Sequence, residues 1–121
     1  MDNHFNDDEK LYRAVFPPEM AELYRKRDGT ISSAAFVDPK GLSVERGYYR
    51  ENTEVLSIMQ KRFVGRIICL YVKNCRDAGA VVLYRPTGKN PYHSEIHGRL
   101  DTPLLSKPQR RHLARTCRGL I

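Results

Sequence analysis

The stretch Ile67-Ile68-Cys69-Leu70-Tyr71-Val72 is apolar at nearly every position, and this constrains the fold more than any other feature of the chain. A strand with one face in water alternates apolar and polar side chains, whereas a strand covered on both faces does not. Arg66–Val72 therefore reads as a strand buried on both sides. At 121 residues the chain falls in the single-domain range and can bury a real core without a disulfide framework or a metal.

The other elements follow from periodicity and punctuation. Lys10–Phe16 reads as a first strand, stopped by Pro17-Pro18, with a helix over Glu19–Arg25 closed by the turn Asp28-Gly29. Thr30–Val37, rich in small residues, reads as a strand or extended loop, and Leu42-Ser43-Val44 as a short alternating strand. A helix capped by Asn52 or Thr53 carries Val55, Leu56, Met59 and Phe63 on one face. Lys73–Gly79 reads as a turn or a single helical turn, Ala80–Arg85 as a strand, residues 86–91 as a loop, and His93–His97 as the last strand. Ser106 caps a final helix with Pro108 in its first turn. The order predicts α+β: one small domain over residues 10–121, a mixed or antiparallel sheet of about five strands, and two or three packed helices. Residues 1–9 hold four acids, no Lys or Arg, and only Phe5 to bury, which predicts a disordered acidic leader.

Composition narrows the setting. No apolar run is long enough for a transmembrane helix, and the acidic start is unlike a secretory signal, so a cytoplasmic protein is expected. Cys69, Cys75 and Cys117 are odd in number and lack CxxC spacing, which points to free thiols rather than a zinc site. Net charge is +7; residues 106–121 carry five bases (Lys107, Arg110, Arg111, Arg115, Arg118) and no acid. A continuous helix there sets Leu113, Ala114, Cys117 and Ile121 on one stripe and Arg111, Arg115 and Arg118 on the far side, a row suited to phosphate contacts. Nucleic acid or an acidic protein is the expected partner; membrane is not.

His93, Glu95 and His97 share one side of their strand. A single metal cannot take both histidines, because positions i and i+4 of a strand lie about 13 Å apart at about 3.3 Å per residue. No metal and no cofactor are expected. His93 instead reads as an acid–base residue at a loop–strand junction, with Glu95 as its partner and Gly88-Lys89-Asn90 offering an amide and a cation to an anionic substrate. The competing expectation is a solvent-facing polar side of an edge strand. GxGxxG, GxxxxGKS and GxSxG motifs are absent.

Leu11-Tyr12-Arg13, Ile31-Ser32-Ser33 and Glu95 together resemble the Arg–Ser–Glu order of ADP-ribosyltransferase-like NAD enzymes, which implies site roles for Arg13, Ser33 and Glu95. Four blocks, Leu11–Arg13, Asp28–Phe36, Leu42–Val44 and Asn90–His93, resemble a small uncharacterised bacterial protein family with no assigned activity. Two functions stand against each other: polyanion binding through the C-terminal bases, and an enzyme with a pocket around His93 for a phosphorylated or nucleotide substrate. A purely structural or oligomeric module is a third, and the oligomeric state is left open.

Overall fold

The computed structural model describes residues 1–15 and 31–120. The end of the first strand at Phe16, Pro17-Pro18, the helix expected over Glu19–Arg25, the turn at Asp28-Gly29 and residue Ile121 lie outside them. The described elements are β1 (Lys10–Val15), a 3-10 turn (Ser33–Phe36), β2 (Leu42–Arg46), α1 (Asn52–Gln60), β3 (Arg66–Tyr71), α2 (Val72–Asp77), β4 (Val81–Tyr84), β5 (His93–His97), α3 (Lys107–Thr116) and β6 (Arg118–Gly119). The strands form one sheet of six in the order β4-β5-β2-β1-β3-β6, every pairing antiparallel, so the α+β class holds with one strand more than expected. Among the described residues no helix is long and apolar enough to cross a membrane.

The alternation of β3 explains its composition. Ile68 and Leu70 enter one core with Leu11, Val15, Leu42, Val44 and Ile96, roofed by α2, α3 and the 3-10 turn. Ile67 and Cys69 enter a second core with Tyr12, Val55 and Met59, roofed by α1. Both faces of β3 are covered, as its apolar run requires. α3 begins where expected: the Ser106 hydroxyl accepts from the Gln109 amide, and the Gln109 side chain accepts from the Ser106 amide. Gly98 lies so close to this start that a Cβ would sit 2.4 Å from the Leu104 carbonyl oxygen, so glycine is required there.

Several expectations are corrected. Ser33–Phe36 is a 3-10 turn, started by Ser32 Oγ accepting from the Ala34 amide, where a strand or extended loop was expected. β3 stops at Tyr71 and Val72 already opens α2. β5 is interior, paired with β2 and β4, so it is no edge strand and His97 is buried. α3 ends at Thr116, because Cys117 turns to extended backbone and Arg118–Gly119 pairs with β3; Arg118 therefore leaves the arginine row.

The leader, expected to be disordered, is packed. Arg46 has no exposed surface and binds the Glu9 carboxylate twice at 2.8 Å, the Asp2 carbonyl at 2.6 Å and the His4 carbonyl at 2.8 Å. Its guanidinium lies over the rings of Phe5, Tyr48 and Tyr84. Arg76 holds Asp7 and the Phe5 carbonyl, and the Lys73 amide donates to the Asp7 carbonyl. Acids without local partners find them on β2 and α2. Removing one side of a buried ion pair strands the other, so Arg46→Ala is expected to destabilise the protein by about 3–5 kcal/mol in urea unfolding. The double variant Arg46→Met with Glu9→Leu is expected to recover much of that loss, and a single-variant loss below about 1 kcal/mol would contradict this role.

Candidate functional site

β1 and β2 meet at only two rungs, Leu11↔Arg46 and Tyr12↔Glu45, whereas β1 pairs β3 along its whole length. Beyond Tyr12 the strands part, and the Arg13 guanidinium spans the opening, donating from Nη1 to the Ser43 carbonyl at 2.9 Å. A cleft of ≈ 160 Å³ forms at this opening. Ala14, Val44, Met59 and Phe63 give it apolar lining, and Tyr12, Arg13, Ser43, Glu45, Asn90 and His93 give it polar groups.

His93 is half-buried, and its Nδ1 lies 2.9 Å from the Arg85 carbonyl, while the Arg85 amide donates to the His93 carbonyl. A carbonyl only accepts, so Nδ1 carries the hydrogen and Nε2 keeps the lone pair of the neutral ring. That is the tautomer a general base needs at Nε2. The register partner of His93 across β2–β5 is Glu45, on the same face of the sheet. Glu45 is buried and receives Arg50 Nη2 at 3.0 Å and Asn90 Nδ2 at 2.8 Å, with Arg62 Nη1 at 3.9 Å. Arg50 in turn stacks on Tyr92, 3.4 Å from the ring centroid. Beneath α1, Asn52 Oδ1 accepts from the Tyr12 hydroxyl and from Lys10 Nζ.

Of the residues expected to form a site, Arg13 and His93 line the same cleft. Glu95, expected as the partner of His93, is engaged elsewhere: its Oε1 lies 2.8 Å from His97 Nε2. The His97 ring is packed against Gly41, where a Cβ would fall 2.5 Å from it and φ is +95°. Ser33 belongs to the 3-10 turn, packed with α3 on the other face of the sheet. Of the loop residues, Asn90 lines the cleft, while Lys89 offers its carbonyl to Arg62 Nη2 at 3.5 Å. On α3, Arg110 is turned inward to the Leu105 carbonyl, and Lys107, Arg111 and Arg115 are exposed.

Sequence reasoning missed Glu45, Asn52 and Tyr12. Glu45 had a signal, since an acid on the alternating strand Leu42-Ser43-Val44-Glu45 faces the side of Ser43. The cap expected at Asn52 or Thr53 falls on Glu51 instead, and Asn52 is the first residue of α1. The cysteines are free, and burial pushes the Cys75 thiol up to about 12, which removes it as a nucleophile. Among the described residues no group of three or more His, Cys, Asp or Glu side chains is placed to hold a metal. A larger cleft of ≈ 260 Å³ at the Tyr48–Tyr49 turn includes Lys10, Glu9 and Glu51 but no histidine.

By its fold this is a small α+β protein whose antiparallel sheet opens into a cleft lined by a histidine, a buried glutamate and an arginine. Comparison of the chain with family models, curated proteins and solved structures finds no match in any of the three.

Burial, aided by the nearby Cys69, pushes the Tyr12 phenol up to about 12. The folded value lies above the unfolded one of about 10, so this contribution to stability is intact below about pH 10 and is lost as pH rises toward 12. An ultraviolet titration is expected to show one tyrosine ionising last, and Tyr12→Phe to remove that component. A titration unchanged by Tyr12→Phe would contradict the assignment.

Proposed function

We propose that the cleft binds a small phosphorylated substrate and carries out acid–base chemistry on it. His93 Nε2 takes or returns the proton, and the Arg13 guanidinium meets the anionic group. The observation that carries this reading is that His93 and Arg13 line one cleft, Arg13 reaching it from the other face of the sheet through the gap between β1 and β2, with the His93 tautomer set by the Arg85 carbonyl. Glu45 supports it, because a carboxylate across the strand steadies the imidazolium formed when Nε2 takes a proton. The natural substrate is reached through its chemistry, so chromogenic phosphomonoesters and phosphodiesters serve as first probes. His93→Gln is expected to lower their kcat/KM by about 10²–10⁴ without shifting the unfolding midpoint. Turnover that survives this substitution would rule His93 out as the acid–base residue.

A second reading keeps the C-terminal bases as a nucleic-acid surface, favoured by the exposure of Lys107, Arg111 and Arg115 along α3. Arg118, exposed on β6, adds charge but from a different element. Affinity for single-stranded RNA or DNA should then fall linearly with salt on logarithmic axes. Substituting Arg111 and Arg115 by Gln is expected to reduce the slope by about 2 for duplex DNA and somewhat less for single strands. Binding that is absent, or flat with salt, removes this reading.

A further inference from the structure

The cleft is polarised. Its one lining cation stands at the rim, where the Arg13 head lies beside the exposed Ser43; just outside the lining, Arg62 is 41% exposed and reaches the Lys89 carbonyl, with Nη1 3.9 Å from Glu45. Its carboxylate lies inside, with Glu45 only 5% exposed. An anion placed deep in the cleft would meet Glu45, whereas at the rim it meets guanidinium groups. The interior instead suits a neutral group that donates hydrogen bonds. A carboxylate offers about four lone-pair sites, and Arg50 and Asn90 together supply two hydrogen bonds to Glu45.

Size and wall chemistry narrow this group. The volume of ≈ 160 Å³ is well under the lower bound of about 300 Å³ for drug-sized ligands, and close to the cavity of about 150 Å³ that takes one benzene ring. One ring fits, and a ring with its sugar and phosphate does not. The wall holds a thioether, Met59, and an aromatic ring, Phe63, which at 48% exposure is presented at the cleft rather than used in the core. Both are good partners for a flat heterocycle.

We propose that the cleft is a nucleobase subsite: the base lies against Phe63 and Met59 with an N–H edge on Glu45, and its phosphate stays outside on Arg13 and Arg62. This rests on reading the cleft as a site for a phosphorylated substrate, and it makes that substrate a nucleotide. The nucleotide is either free or a base turned out of a single strand.

Calorimetric titration of the full chain separates the parts. The probes are the four nucleoside 5′-monophosphates, ribose 5-phosphate, inorganic phosphate and a single-stranded octanucleotide. At least one mononucleotide is expected to bind about tenfold more tightly than ribose 5-phosphate, the gain of one stacked base. Phe63→Ala is expected to erase that gain and Phe63→Tyr to restore it, while affinity for ribose 5-phosphate stays unchanged in both. Phe63 lies beyond the end of α1 and half in solvent, so these variants are expected to fold. Equal affinity for ribose 5-phosphate and the nucleotides overturns the base subsite and leaves the phosphate reading standing. Failure of every phosphorylated probe overturns both. An octanucleotide bound much more tightly than any mononucleotide, and sensitive to Phe63→Ala, assigns the base to a single strand; otherwise it is a free nucleotide.

Discussion

A guanidinium with no exposed surface holds this protein together. Removing a charge from water costs several kcal/mol, and the cost is met only where partners satisfy it fully. Arg46 has such partners: both oxygens of Glu9, two leader carbonyls and three aromatic rings. The rings come from the leader, from the turn after β2 and from β4, so one side chain of β2 gathers three other segments. Its rung partner is Leu11, at the end where β1 and β2 remain joined. The Gly47 amide donates to the Lys10 carbonyl just beyond. The sheet is therefore fastened at this end, and the opening that makes the cleft lies at the other.

Neighbouring residues on β2 carry opposite charges to opposite faces. Glu45 and Arg46 do not neutralise each other; each has a partner on its own side, Arg50 for the acid and Glu9 for the base. Alternation along a strand makes this separation inevitable. One pair fixes the leader, and the other sets a buried carboxylate in the wall of the cleft. A structural anchor and a candidate site thus share two consecutive residues.

What was legible in the chain follows from this division. β3 could be read because burial on both faces leaves a mark in every residue, and the start of α3 because Ser106 and Gln109 cap it through local hydrogen bonds. The leader could not, since its acids are matched by Arg46 and Arg76, far away in sequence. The end of α3 was also hidden: the amphipathic pattern runs on through Cys117, but pairing with the edge of β3 captures the chain there. For the site, side-chain alternation placed His93 and Glu95 on one face correctly. It could not say which acid would approach which histidine, because Glu45 comes to His93 through strand pairing while Glu95 bends to His97 on its own strand.

The turn between β2 and α1 links anchor and cleft. Tyr48 and Tyr49 both have positive φ, 44° and 65°, conformations that cost an ordinary residue on the order of 1–2 kcal/mol each. The Glu9–Arg46 pair holds the strain in place: the Tyr48 amide donates to Glu9 Oε2, and the Tyr48 ring covers the Arg46 guanidinium. The reversal brings Arg50 back over the strand it has just left, where it donates to the Gly47 and Arg46 carbonyls and to Glu45. Without that return Glu45 would be a buried carboxylate lacking its closest cation. The strained turn is thus the means by which a structural ion pair on one face of the sheet stabilises the charge that lines the cleft on the other.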